Sequence, residues 1–223
     1  MENLLNTLSP WLDNLDYDWK PIIEKSTIKH FPFNAHIYYQ GEYAGTVYII
    51  LSGRVRLYMT SHDGREKATF IAGKNCLIGE NCVNLDKTYL KNAITASNVK
   101  VARISFSEFE AILYSQSKLM RQYIDLLNLK LRLANMYHLQ LTYGNSTARI
   151  CDALYHLAST YGEEQDNGIT ISIHFTHQEL ANLIGTSRVT VANTINDMIR
   201  QKVIVKKNKY YHIPELNKLF EYR

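Results

Sequence analysis

The sequence predicts an α+β protein in three parts: a β-roll with flanking helices over residues 1–117, a long dimerisation helix over 118–143, and a winged helix-turn-helix over 144–223. Three observations predict it. Between positions 30 and 104, short β-prone runs alternate with glycine-bearing turns. From 118 to 142 neither Gly nor Pro interrupts a helical apolar pattern. From 175 to 199, FTHQELANLIGTSRVTVANTINDMI, the chain reads as two short helices joined by a tight turn.

The first 30 residues, with Trp11 and Trp19, read as helical. The runs 46–51, 55–59, 68–72 and 99–104 read as strands, with Gly41, Gly45, Gly53, Gly64, Gly73 and Gly79 between them. Short strands at this spacing suit a compact barrel or roll. Residues 105–114 turn helical again.

The 118–142 helix carries two apolar stripes. Met120, Ile124, Leu127, Leu131, Ala134, His138 and Leu141 alternate by four and three, a seam that would pack against its twin. Leu126, Leu133 and Tyr137 form a second stripe, suited to the β-domain. A monomeric buried helix is the competing reading. Gly144-Asn145-Ser146 ends the helix, 147–161 forms another, and 169–175 reads as β-prone.

In the 175–199 stretch, Thr176 and Glu179 have the spacing of a capping box. Gly185 can take the left-handed conformation that closes a helix. Ser187 caps the second helix, and Val191, Ile195, Met198 and Ile199 hold it against the first. Arg188, Val189, Thr190, Asn193 and Asn196 are left toward the exposed side. A helix that enters the DNA major groove keeps its base readers in its opening turn. Residues 203–213 add a hairpin with its turn near Lys207-Asn208, the wing. An ordinary helical hairpin would share the pattern, so charge has to decide. From position 177 to the C-terminus stand eight basic residues against four acids, an excess equal to the net charge of +4 of the whole chain. A basic terminal module on a neutral body suits phosphate contact.

No stretch reaches the length of a membrane span, and the N-terminus lacks a signal-peptide pattern. Cys76, Cys82 and Cys151 show no metal spacing, which fits a reducing cytoplasm. Paired carboxylates, a nucleophile–base set or a phosphate loop do not stand out, so catalysis is not expected.

In this order the parts resemble the Crp/Fnr family of bacterial transcription regulators. The strongest local matches are Gly53 with its strands, Leu77-Ile78-Gly79-Glu80, and LANLIGTSRVTV at 180–191. The resemblance implies a cytoplasmic homodimer on a two-fold-symmetric double-stranded DNA operator, with RNA polymerase a further candidate partner. It also implies a cyclic-nucleotide-binding-like β-roll in which a small effector repositions the dimer helices. Cyclic-nucleotide members place an Arg-Ser pair downstream of Gly-Glu. Here Leu90 and Lys91 stand there, and a lysine offers a point charge rather than a bidentate fork. This argues against cyclic AMP. The clustered N-terminal cysteines of iron–sulfur members are missing. No haem ligand set stands out beyond His36, Cys76 and Cys82.

The halophenol-sensing branch is similar at Asn75-Cys-Leu-Ile-Gly79, Thr147-Ala-Arg-Ile150, Val189-Thr-Val191 and the tail 206–219. In that branch a helix lysine pairs with the phenolate, and Lys130 occupies its place. Phe70 and Leu127 replace pocket tyrosines of that branch. Lys130 also falls between Leu126 and Leu133, where a charge is expensive unless paired; a lysine that snorkels to solvent is the alternative. The expected effector is a small organic anion, plausibly aromatic, among Phe70, Cys76, Leu77, Ile78, Gly79, Glu80, Leu127 and Lys130. Cyclic-nucleotide or redox control of the same fold is the other reading.

For DNA, Arg188 is expected at guanine O6 and N7, or on a phosphate. Val189 suits a thymine methyl and Asn193 an adenine edge. Thr176, Thr190, Lys206, Lys207 and Lys209 are assigned to phosphates. The expected operator is an A·T-rich inverted repeat with half-sites ~34 Å apart.

Overall fold

The computed structural model describes residues 9–80, 87–165 and 167–223. The chain divides into two compact units, 11–132 and 133–223, the second taking in Pro10. The cut falls inside the long helix.

The first unit is a roll of two sheets. Its strands are β1 (Trp11–Leu12), β2 (Thr27–Phe31), β3 (His36–Tyr38), β4 (Thr46–Ser52), β5 (Val55–Thr60), β6 (Glu66–Ala72), β7 (Leu77–Ile78), β8 (Asn92–Thr95) and β9 (Val99–Ser105). One sheet runs β1-β6-β5-β8-β3 and the other β2-β9-β4-β7. Period-two burial is clear on β6, where Ala68, Phe70 and Ala72 turn inward. They join Ile49, Leu57 and Val101 in the core. Gly53 makes the β4–β5 turn at φ +84°, and a Cβ there would come within 2.2 Å of the Asn98 carbonyl oxygen. Only glycine fits that close approach.

The N-terminal segment departs from the helical expectation. Trp11 and Leu12 add a parallel strand to β6, opposite Ile71 and Ala72. Only α1 (Lys20–Ile23) is helical in residues 9–30. Long-range anchoring overrides the local pattern: the Trp19 indole N–H donates to the Asn75 carbonyl at 2.9 Å, and the Asp13 carboxylate accepts from the Lys74 N–H.

Ser105 caps α2 (Phe106–Ser115) by accepting from the Glu108 N–H. Helix α3 (Ser117–Tyr143) follows after one residue. Leu119, Leu126 and Leu133 are buried, seven apart, on one face. Ile124, Leu127, Leu131 and Leu141 are exposed on another.

The second unit holds the rest of α3, then α4 (Ser146–Tyr161), β10 (Gly162–Gln165), β11 (Gly168–Ile171), α5 (His177–Ile184), α6 (Arg188–Arg200), β12 (Val205–Lys207), β13 (Tyr210–Ile213) and α7 (Asn217–Glu221). Its sheet runs β10-β11-β13-β12. Strand β10 was not expected, and the run 169–175 is strand only as far as Ile171. Both follow from pairing: β11 lies between β10 and β13, and its ladder with β10 ends at Ile171 opposite Gly162. No described helix is long and apolar enough to cross a membrane.

His156 on α4 is buried, and burial holds its pKa down at about 4. An unfolded histidine protonates near pH 6.5. Between those values the unfolded chain binds more protons, so this contribution is complete above ~6.5 and fades as pH falls toward 4. Urea unfolding at stepped pH should show His156→Leu flattening the acid limb, by on the order of 2–3 kcal/mol across the window.

Candidate functional site

The recognition element is built by local rules. Thr176 Oγ1 accepts from the Glu179 N–H at 3.1 Å, and the Glu179 carboxylate accepts from the Thr176 N–H at 2.7 Å. The predicted capping box is formed, which satisfies donors at the start of α5. Gly185 closes α5 in the left-handed region at φ +70°. Ser187 then accepts from the Thr190 N–H at 3.0 Å and starts α6. Val191, Ile195 and Met198 bury one face of α6; Leu180, Ala181, Leu183 and Ile184 bury the facing side of α5.

The opposite face of α6 is open. Arg188, Val189, Asn193 and Asn196 are exposed, and Thr190 is half-buried. Val189 is 67% exposed, an apolar side chain held in water at a helix start. The wing residues Lys206, Lys207 and Lys209 are exposed too. Asn208 turns the wing at φ +57° between β12 and β13.

An open groove of about 670 Å³ runs between the start of α5 and the wing. Thr176, Arg188, Lys206 and Lys209 line it, together with His174, His177, Gln178 and Tyr211. Sequence reading missed the two histidines, because a histidine at a helix start carries no pattern of its own. Its neighbours across the groove from the wing stand about thirty residues away.

Arg149 is a second residue whose role the sequence hid. Its guanidinium donates to four carbonyls: Gln140 at 3.2 Å, Gly144 at 2.6 Å, Ile184 at 2.9 Å and Gly185 at 3.4 Å. It thereby ties the C-terminal end of α3 to that of α5. Helix C-termini present orphan carbonyls and negative dipole ends, so a rigid cationic fork suits both.

In the β-roll, Lys130 neither snorkels to solvent nor stands unpaired. Its Nζ donates to Glu80 Oε1 and to the Leu77 carbonyl, both at 2.6 Å. The two side chains are 9% and 5% exposed. Lys130 and Lys91 each place an ammonium 5.0 Å from the Phe70 ring centre. Burial lowers the Lys91 pKa; Glu80 opposes that shift and Lys130 adds to it. Tyr38 stacks on Tyr89 with ring centres 3.9 Å apart, and burial, aided by Glu80, keeps its hydroxyl protonated.

Tyr38, Phe70, Glu80, Tyr89 and Lys91 line a small cleft together with Leu57, Ile78, Gly79 and Leu90. Its free space, about 10 Å³, holds little more than one water. The expected effector set is altered in three ways. Phe70, Ile78, Gly79 and Glu80 line the cleft, whereas Cys76, Leu77, Lys130 and Leu127 do not, and Leu127 stands on the exposed seam of α3. Cys76 is buried with its Sγ on the Leu77 carbonyl, and burial pushes its thiol up to about 11. The anion that faces Lys130 here is the protein's own Glu80. Redox chemistry at Cys76 is disfavoured, because a buried thiol is not a nucleophile. Cys151 is likewise buried, its thiol raised to about 11, and Cys82 lies outside the described residues.

The seam residues of α3 behave as a set: Ile124, Leu127, Leu131, Ala134, His138 and Leu141 are exposed, and Met120 is half-buried.

Residues 148–222 match the Crp-like helix-turn-helix domain, and residues 28–116 match the cyclic nucleotide-binding domain. The chain is a transcription regulator of the Crp/Fnr family. The regulator is 24% identical over 189 residues to the "CRP-like cAMP-activated global transcriptional regulator" of Mycobacterium tuberculosis, covering 85% of this chain and 84% of the relative. Against the "Global nitrogen regulator" of a Nostoc species it is 25% identical over 193 residues, covering 84% and 86%. Two solved structures share its fold. A CooA mutant from Carboxydothermus hydrogenoformans aligns at TM-score 0.76 and 18% identity, covering 92% of this chain and 91% of that one. "OCPA complexed CprK" aligns at 0.73 and 18%, covering 96% and 99%. The regulator is thus a DNA-binding protein with an effector-binding domain, and not an enzyme.

Replacing Arg149 tests the clamp. Arg149→Met leaves four carbonyls without their charged donor and should lower stability by on the order of 2 kcal/mol. Arg149→Lys should recover little of it, because one ammonium cannot span two helix ends. Thermal unfolding of the three proteins checks this.

Proposed function

We propose that this Crp/Fnr regulator works as a homodimer that reads an A·T-rich inverted repeat under the control of a small organic anion. Residues 1–117 sense, 118–143 pair and 144–223 read. The single observation that carries the DNA half is the exposed row of Arg188, Val189 and Asn193 on a helix whose other face is fully packed. Arg188 donates to guanine O6 and N7, the Val189 methyls meet thymine methyls, and Asn193 bridges adenine N6 and N7. Thr176, Thr190, Lys206, Lys207 and Lys209 hold phosphates and set the register. The exposed apolar stripe of α3 supports the dimer, which would set the two readers ~34 Å apart.

The sensing half rests on charge. Glu80 faces two ammonium groups, so the buried Lys130–Glu80–Lys91 cluster carries one positive charge in excess. A monoanion of aromatic character would neutralise it and stack against Phe70. The cleft must open to admit it. A ligand that fits only the opened form is what effector control requires. The solved structure that shares the fold, "OCPA complexed CprK", is itself a complex with a bound molecule. A cyclic nucleotide is the second reading, favoured by the name of the M. tuberculosis relative. Against it, Lys91 stands where the phosphate fork is needed.

Selection from a random duplex pool should return A·T-rich sites with a dyad. On such a site Arg188→Ala should cost about 1–3 kcal/mol per half-site and relax one base position. Lys207→Ala should weaken all sequences alike. Dyad-free G·C-rich sites would overturn the readout.

Calorimetry with halophenols, aromatic carboxylates and cyclic nucleotides tests the sensor. Aromatic anions should bind the intact protein, and Lys130→Met should weaken them tenfold or more. Binding of cyclic AMP with no response to any aromatic anion would establish the second reading instead.

A further inference from the structure

We propose that His177 is a phosphate-contacting residue whose charge is set by the DNA itself, so that each subunit takes up a proton when it binds duplex. The proposal rests on the DNA-binding reading and adds a proton to it.

The geometry comes first. His177 opens α5 and lines the groove between α5 and the wing. Its Nε2 lies 3.0 Å from the Tyr211 hydroxyl on β13. That contact suits either state of the ring: the hydroxyl can donate to a neutral Nε2 or accept from a protonated one. With Nε2 engaged, the other ring nitrogen is the one left to meet a groove ligand. Tyr211 itself stays protonated, because burial raises its pKa.

Every charged neighbour across the groove is a cation. Arg188 faces it from α6, Lys206 from β12 and Lys209 from the wing turn. His174 lines the same groove from the segment leading into α5. On its own helix, the Glu179 carboxylate is already engaged by the Thr176 N–H at 2.7 Å and hydroxyl at 2.9 Å. In the free protein, burial, Lys206 and Arg188 push the His177 pKa below its ordinary value. The positive dipole end of α5 acts in the same sense. Near neutral pH the ring is therefore mainly neutral.

Duplex DNA reverses this field. Its backbone brings one negative charge per ~1.7 Å of axis. Phosphates seated in the groove offset Lys206 and Arg188 and add an opposite charge beside the ring, which favours imidazolium. The sign follows: the bound pKa lies above the free pKa, so affinity rises as pH falls from the bound value to the free one. Above the bound value protonation of His177 no longer contributes to the pH dependence. Arginine and lysine stay charged throughout, so they add no slope. Buried His156, at about 4, titrates below the window.

Because phosphate contacts ignore sequence, a random-sequence duplex at low salt suffices as the probe. Fluorescence anisotropy of the full-length protein across about pH 6 to 8 gives the slope. Calorimetry in two buffers of different ionisation enthalpy gives the proton count. The wild type should tighten several-fold toward pH 6 and take up close to one proton per subunit. His177→Gln should lose most of both. His177→Arg should bind tightly at both ends. A wild-type slope and proton count in His177→Gln would overturn the proposal and leave DNA binding intact. Failure of the wild type to bind duplex at any pH would overturn both.

Discussion

Leu126 is fully buried, and Leu127, the next residue in the chain, is 38% exposed. That contrast runs the length of α3. One face sends Leu119, Leu126 and Leu133 inward, while Ile124, Leu131 and Leu141 stand 45% exposed or more on the other. Fully burying one such side chain contributes about 1.5–3 kcal/mol. A single chain can collect that on one face of a helix only. The second face at heptad-like spacing is what a twin helix would cover, and it would set both the distance and the symmetry of the two reading heads. The dyad proposed for the operator follows from this constraint more than from any residue on α6.

The Lys130–Glu80 pair raises a different question of energy. Removing two charges from water costs several kcal/mol per ion, and a packed apolar pair of similar volume would serve stability as well or better. Lys91 makes the balance worse by adding a cation the single carboxylate cannot fully offset. Phe70, with its ring centre 5.0 Å from each ammonium group, recovers part of the cost. A cluster left with surplus positive charge in a closed cleft is poorly explained as a structural staple. The proposed anion would suit it, with Glu80 holding Lys130 until one arrives.

The C-terminal head was legible in the sequence almost residue by residue. Capping boxes, N-caps and the left-handed Gly185 are local devices, and local devices can be read from a linear string. The seam of α3 was legible for the same reason. What stayed hidden depended on distant partners. Trp11 and Leu12 became a strand because β6 offered a parallel edge sixty residues on. Strand β10 exists because β11 was there to pair with it. Lys130 was picked out as a costly buried charge, but its carboxylate partner stands fifty residues earlier. The histidines of the groove needed the wing folded back before their surroundings existed. Redox control was open in the sequence, because the burial of Cys76 and Cys151 exists only once the chain is folded.

Effector control needs contacts that differ between two arrangements of the chain. The Lys130–Glu80 bond can be such a contact, because an incoming anion competes for the same ammonium. Lys130 belongs to α3, which continues without a break to Tyr143. There Arg149 holds the Gln140 and Gly144 carbonyls with one edge of its guanidinium and the Ile184 and Gly185 carbonyls with the rest. Helix α5 in turn shares its buried face with α6. Within residues 133–223 the Arg149 fork therefore links the end of α3 to the α5–α6 pair that carries Arg188. On the proposed function, Arg149→Met should weaken the effector's influence on DNA binding more than either binding event alone.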